Sequence, residues 1–540
     1  MSTTWGVRME RGTNTYRAAV ALLLGGMLIT GCGASGDGAR SSADHGVAGN
    51  GGPAGGKQPP APGQPAPGQR EGAAVEERDE AGQESAAPDY LSTFALDVDT
   101  ASYGYARRTL GDGQLPDAGT VRPEEFVNSF RQGYEQPEGN GFSVHVDGAR
   151  PGAGASDWSL MRVGLATRAE AKTGERPPAA LTFVVDISGS MAEPGRLDLA
   201  KTSLGILADE LRDDDSVSLV TFSDEAETRL PMTRLQGNRT KLRDAIEEME
   251  PTDSTNVEAG VEQGYEEAVE GHREGATNRV VLLSDALANT GETQADAILE
   301  RIGDARKEYG ITLFGVGVGS DYGDQLMERL TNKGDGNTTY IADEEQARKV
   351  FVDQLPAHVE LRARDAKAQV EFDRKNVKQF KLIGYENRKV ADDDFRDDSV
   401  DGGEVGPGHT VTALYAVRLR EGASGHVATA TVRWLDPKTR KAHEESGSVE
   451  TGAIDGRLWD GAGARLQVTA VAAYFADTLR GGDLPGTPSL GELASRARKL
   501  ASSTEDSSVG KLATAIEQAD RIRNGTGEEP SGSSGEGELG

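Results

Sequence analysis

Leu181-Thr182-Phe183-Val184-Val185-Asp186-Ile187-Ser188-Gly189-Ser190 is an apolar run that opens directly onto one carboxylate and two hydroxyls. The first five residues, rich in β-branched and aromatic side chains, read as a buried strand. At its exit Asp186, Ser188 and Ser190 occupy alternate positions, so an extended backbone turns their oxygens to one side. Hard divalent cations are held by such oxygen ligands. Two more oxygens fall on turns after readable elements: Thr255 in Ser254-Thr255-Asn256, and Asp285 at the end of Arg279-Val280-Val281-Leu282-Leu283-Ser284. Thr255 lies 69 residues beyond Asp186, and Asp285 lies 30 beyond Thr255, which leaves room for strands and helices between them. The competing reading is a polar turn in which Asp186 caps a following helix. That accounts for Asp-x-Ser-x-Ser alone and leaves Thr255 and Asp285 unexplained.

This constellation resembles the metal-ion-dependent adhesion site of von Willebrand factor type A domains, which has the form D-x-S-x-S with a distant Thr and a distant Asp. The resemblance implies that Asp186, Ser188, Ser190, Thr255 and Asp285 bind Mg²⁺, or Mn²⁺ in its place. Three of these five ligands are neutral, so the cation stays undercharged and accepts an Asp or Glu from a partner protein as its next ligand. One departure stands out. The family usually carries Gly after the last Asp, whereas Ala286 follows Asp285 here, which crowds the loop without removing the carboxylate.

Around this stretch, residues 179–358 alternate short β-rich runs with amphipathic helical runs, the pattern of a doubly wound, mostly parallel α/β sheet. Strands are expected at 181–185, 216–222, 279–284, 311–318 and 338–341, with helices over 196–211, 241–249, 257–270, 294–309 and 324–331. A closing helix spans 345–355. The metal ligands then fall at the carboxyl edge of the sheet, where open α/β sheets bind ligands. Strand signals on both sides of this segment, at 90–99, 142–146 and 160–165 before it and 366–372, 380–385, 410–419 and 428–435 after it, predict one β-rich domain into which the α/β unit is inserted. Its two parts are 89–178 and 359–455. Helices over 100–110 and from Pro123 interrupt the first part. Residues 456–523 read as helical, with Leu466, Val468, Val471, Ala472, Phe475 and Leu479 forming one apolar stripe for a packed core. The run Ser92-Thr93-Phe94…Asp97-Val98-Asp99-Thr100-Ala101-Ser102-Tyr103 is similar to the N-terminal region of a bacterial subgroup of these proteins, the YfbK-like lipoproteins, and the similarity extends nearly to Arg523.

The N-terminus reads as an export signal. Arg8, Arg11 and Arg17 precede an apolar stretch from Ala18 to Ile29, which ends in Leu28-Ile29-Thr30-Gly31-Cys32. This resembles a bacterial lipoprotein signal at 1–31, with Cys32 as the lipidated residue that tethers the chain to a membrane of the bacterial envelope; the apolar run is too short for an ordinary spanning helix. Cys32 is the only cysteine, which excludes an intrachain disulfide. Residues 32–88 are a Gly/Pro-rich spacer and 524–540 a Gly/Ser/Glu tail, both compositions of disordered chain. With 58 Lys and Arg against 88 Asp and Glu the net charge is −30, which disfavours nucleic acid as a partner.

Enzyme chemistry finds little support. An aspartyl-phosphate site needs a second Asp where Ser188 stands, and Gly189-Ser190-Met191 lacks the G-x-S-x-G nucleophile turn. None of the seven histidines has a spacing that marks it as a base; His358 and His409 read as surface or strand-edge residues. The acidic run 392–401 departs from a calcium-binding loop because Arg396 takes a ligand position and the required glycine is missing, so it reads as a solvated loop. The sequence therefore predicts a lipid-anchored protein that binds a partner through a divalent metal and is not an enzyme. A structural or regulatory envelope protein whose metal only stabilises the fold is the alternative, and a metal-dependent hydrolase a lesser one.

Overall fold

The computed structural model describes residues 90–152, 157–169, 176–285, 295–303, 308–319, 324–334, 336–353 and 360–525. The expected signal, spacer, Cys32, Ala286, His358 and most of the tail lie outside them. The chain begins with β1 (Leu91–Ala95), α1 (Ala101–Gly111), α2 (Pro123–Asn128), β2 (Phe142–Ala149) and β3 (Trp158–Thr167). The α/β unit follows: β4 (Ala179–Asp186), α3 (Leu197–Glu210), β5 (Ser216–Phe222), β6 (Ala226–Arg234), α4 (Arg239–Glu247), α5 (Val257–Glu270), β7 (Thr277–Ser284), α6 (Ala295–Arg301), β8 (Thr312–Val318), α7 (Asp324–Lys333), β9 (Thr338–Ile341) and α8 (Glu344–Arg348), which runs on as a π-turn, Lys349–Asp353. Then come β10 (Ala363–Phe372), β11 (Val377–Ile383), β12 (Gly403–Val405), β13 (Thr410–Leu419), β14 (His426–Leu435), β15 (Ala442–Glu450), α9 (Ala464–Arg480), α10 (Leu490–Thr504) and α11 (Ser507–Arg523).

The inserted unit is a six-stranded sheet in the order β6-β5-β4-β7-β8-β9. All neighbours are parallel except β6, which runs antiparallel to β5. Strand alternation sends Leu181, Phe183 and Val185 of β4 into one core with α3, α4 and the α8 segment. Val184 faces the opposite core with α5, α6 and α7. Helices thus cover both faces of a mostly parallel sheet, the doubly wound architecture expected.

The flanking strands form two antiparallel sheets, β1-β10-β14-β15 with β12 beside β10, and β11-β13-β3-β2. Side chains from both sheets share one core: Phe372 stacks on Phe380 at 4.1 Å and meets Tyr415 edge-on at 5.3 Å. Each sheet combines strands from before and after the insert, β1 beside β10 in one and β3 beside β13 in the other, so this β-rich body is complete only when both parts of the chain are present. The whole expected stripe of α9, from Leu466 to Leu479, is buried. It is not a purely C-terminal body, because α1 and α2 complete its core through Tyr103, Phe126 and Phe130, with Phe126 edge-on to Phe475 at 5.9 Å.

Polar side chains pin the insert to the flank. Arg279, at the start of β7 and 1% exposed, pairs with Glu404 of β12 at 3.2 Å. Thr338 N–H, at the start of β9, donates to Asp99 Oδ1 at 2.7 Å, and Asp99 and Asp97 both pair with Arg388 at 3.1 Å. Glu328 of α7 accepts from Arg122 and Asn387. The acidic loop at 392–401 is more ordered than a solvated loop: Phe395 is buried, and backbone carbonyls of Asp394, Asp397 and Val400 accept from the Lys367 ammonium, while the carboxylates of Asp393, Asp397 and Asp398 lie on exposed residues. An internal ammonium takes the inner side of that loop.

Candidate functional site

Asp186 is the last residue of β4 and is completely buried. One carboxylate oxygen, Oδ1, accepts the Ser188 N–H at 2.9 Å, which closes the turn after the strand; the other, Oδ2, accepts the Ser284 hydroxyl at 2.5 Å. Ser188 then opens a short 3-10 turn, Gly189–Ala192, and its Oγ lies 3.1 Å from Ser190 Oγ. Ser190 is half-buried and Gly189 exposed, so the turn reaches the surface here. Three of the five residues predicted from sequence are thereby joined by direct contacts.

Asp285, also completely buried, follows β7, the strand paired beside β4. It acts electrostatically on Asp186. Burial raises the Asp186 carboxyl to about 6, the Ser284 and Ser188 hydrogen bonds oppose the rise, and the Asp285 charge adds to it. The loop carrying Thr255 is docked by its neighbours. Thr252 N–H donates to Ile187 O at 2.7 Å, Asn256 N–H donates to Ser223 O at 2.6 Å, and Ile187 N–H donates to Phe222 O at 2.9 Å. Thr255 itself is 2% exposed, and Ser254 before it adopts a left-handed φ of 63°, a conformation a non-glycine residue holds only where the surroundings impose it. Asn256 caps α5 by accepting from Ala259 N–H. The three segments therefore meet at the carboxyl ends of β4, β5 and β7.

Two contributors escaped the sequence reading. Ser284 was read only as a strand end, although its place immediately before Asp285 puts its hydroxyl on Asp186. Arg196 was read only as the start of a helix. Its guanidinium, 2% exposed, donates to Asp285 Oδ2 at 2.9 Å and Ser190 O at 3.1 Å, and pairs with Glu193 at 2.7 Å. Gly319, with φ +85°, lies against it; a Cβ there would sit 2.7 Å from Arg196 Nε. His409 carries no chemistry at this site. Its Nδ1 accepts the Gly406 N–H at 3.2 Å, and burial, followed by Arg279, pushes the ring down to about 4, which keeps it neutral.

The donor set suits a hard divalent ion: two buried carboxylates and two adjoining hydroxyls. Among the described residues no group of three or more His, Cys, Asp or Glu is placed to hold a metal. Any ion here depends on hydroxyls for much of its shell, a chemistry for Mg²⁺ or Mn²⁺ more than for Zn²⁺.

Comparison with known families agrees with this geometry: residues 180–354 match the von Willebrand factor type A domain model. The protein carries a von Willebrand factor type A domain. Residues 359–446, which hold β10 to β14, match the C-terminal domain model of YfbK, and residues 70–156 match a von Willebrand factor model. YfbK of Escherichia coli is 34% identical over 338 residues, 61% of this chain and 58% of that protein. The protein sll0103 of Synechocystis is 26% identical over 191 residues, 35% of this chain and 44% of its own. The matches thus span well under two thirds of either relative. Among solved structures, a von Willebrand factor type A protein from Catenulispora acidiphila aligns with 74% of this chain and 93% of its own at 16% identity, with a TM-score of 0.43.

Proposed function

We propose that the A domain captures a partner protein through a divalent cation held by Asp186, Ser188, Ser190, Thr255 and Asp285, with an Asp or Glu of the partner completing the shell. The observation that carries this reading is the meeting of two fully buried carboxylates with the hydroxyls of Ser188 and Ser190 on a turn that reaches the surface. Mg²⁺ bound there would supply an electrophilic docking point, and the protein's share of the work is to hold the oxygens in place. Ser188 and Ser284 fix both carboxylate oxygens of Asp186, and Arg196 fixes Asp285. The tether is part of the same proposal: Leu28-Ile29-Thr30-Gly31-Cys32 supports lipidation at Cys32 and attachment to the envelope, with the Gly/Pro-rich segment as spacer.

A second reading has one observation in its favour. The Arg196–Asp285 pair balances part of the charge without metal, as a purely structural site would require. A pull-down from the envelope of the producing cell separates the two, using residues 33–540 in Mg²⁺ and in EDTA beside a folded Asp186→Ala variant. Metal bridging requires a partner retained by wild type in Mg²⁺ and lost in both other arms. Retention in all three arms refutes it and assigns recognition to the flanking bodies.

A further inference from the structure

A cavity of about 130 Å³ opens where the A domain meets α1 and the start of α11. Three cationic side chains line it from three separate elements: Arg107 of α1, Lys349 of the π-turn after α8, and Lys511 of α11. Two carboxylates lie close, and each already has a cation. Glu345 pairs with Lys511 at 2.6 Å, and Asp506, the cap of α11, pairs with Arg465 at 2.6 Å. Among the described residues Arg107 has neither a hydrogen bond nor an ion pair, only the face of the Tyr103 ring 5.9 Å from its guanidinium carbon. Lys349, exposed at the rim, has neither either. In a chain of net charge −30, two cations without ion pairs beside a third, Lys511, that has one are the reverse of the general surface.

Tyr103 forms part of the cavity wall at 6% exposure, with its ring packed against Phe126 and Phe130. An anion is the ligand that balances the two cations. The cavity has room for several water-sized groups and not for a peptide strand or a nucleotide.

We propose that this cavity binds a small oxyanion, of phosphate or carboxylate type, that clamps the A domain to α1 and α11. Arg107 and Lys349 supply the charge. The ligand would touch Tyr340 of β9, whose hydroxyl donates to Gly319 O at 2.6 Å, and Gly319 is the residue packed on Arg196. The clamp therefore lies two residues from the Asp285 ion pair, yet it stands without the metal reading, because none of its ligands belongs to the metal set.

The test uses metal-stripped, desalted residues 33–540, titrated with inorganic phosphate and, separately, with malonate, against sodium chloride of equal ionic strength. The expected result is a saturable rise in the thermal midpoint with at least one of the two, and the responding anion tells phosphate from carboxylate chemistry. The double variant Arg107→Gln/Lys349→Gln should abolish that rise while leaving the midpoint in chloride unchanged, since neither side chain has an ion pair to lose. Arg348→Gln, which removes a neighbouring paired cation, should leave it intact. No saturable rise with either anion, or an equal rise in the double variant, overturns the proposal.

Discussion

Glu124 gives the sharpest test of how this fold manages buried charge. It is the second residue of α2 and 2% exposed, and among the described residues no side chain pairs with its carboxyl group. Gly384 packs directly onto it: φ there is +80°, and a Cβ would overlap Glu124 Oε2, so only glycine fits the turn. Burial first, then the charges of Asp97 and Glu386, raise the Glu124 carboxyl from 4.5 to about 7, while the backbone N–H groups of Glu124 and Tyr385 oppose the rise. A folded pKa above the unfolded one means that the native state holds the proton more tightly. The stabilisation from this proton is fully present below pH 4.5 and is lost as pH rises through 7. At 1.36 kcal/mol per unit the loss is on the order of 3 kcal/mol by pH 8. Glu124→Gln keeps the shape and removes the titration, so the variant should gain about 3 kcal/mol on wild type between pH 4.5 and pH 8, whatever constant offset the amide brings. Urea unfolding followed by tryptophan fluorescence at several pH values reads the gap, with slopes compared because a chain of several bodies need not unfold in one step. Titrating groups that do not interact with Glu124 are common to both proteins and cancel. A gap that is the same at pH 4.5 and pH 8 refutes the reasoning.

Arg196→Gln leaves the Asp285 carboxylate buried without its cation and should cost about 3–5 kcal/mol, measured as a lowered thermal midpoint without metal. If the ion sits where we propose, Mn²⁺ should raise the midpoint of this variant more than that of wild type, because it replaces the missing charge; an equal rise would show that Arg196 does not balance the site. Cys32→Ala should move the full-length protein from the membrane fraction to the soluble fraction of its bacterial host, and a variant that stays with the membrane would dismiss the lipid tether.

What could be read from the sequence followed burial on both sides of a segment. β4, β5, β7 and β8 lie inside the A-domain sheet, so nearly every residue is buried and each carries a short apolar core that stands out. β6 and β15 are edge strands facing solvent. Ala226–Arg234 contains Pro231 and several exposed polar residues, and Ala442–Glu450 carries two consecutive glutamates and a glycine, so neither shows the alternation that signals a strand. The candidate metal ligands are legible because a short motif at one strand end, the end of a second strand and the turn before α5 fix their type and place. Arg196 was not, because nothing in local spacing announces a charge that reaches back to a neighbouring strand. The cavity cations were invisible for the same reason: Arg107, Lys349 and Lys511 come from elements hundreds of residues apart, and only the fold brings them together.

Where the flank grips the A domain bears on how its site can work. The buried contacts fall at strand beginnings: Arg279 opens β7 and pairs with Glu404, Arg279 Nε also binds Thr312 at the start of β8, and Thr338 opens β9 against Asp99. Asp186 and Asp285 lie at the opposite, carboxyl ends of the same parallel sheet. The β-rich body thus holds the sheet from its amino edge and leaves the carboxyl-edge turn, with exposed Gly189 and half-buried Ser190, available to a partner. Because β3 enters the insert from one flanking sheet and β10 leaves it into the other, rotation of the A domain would strain both sheets and strip partners from buried ions, at several kcal/mol each. Under the proposed function, a site held this way is aimed by its scaffold, and the flank would contribute to recognition through the orientation in which it holds Asp186, Ser188 and Ser190.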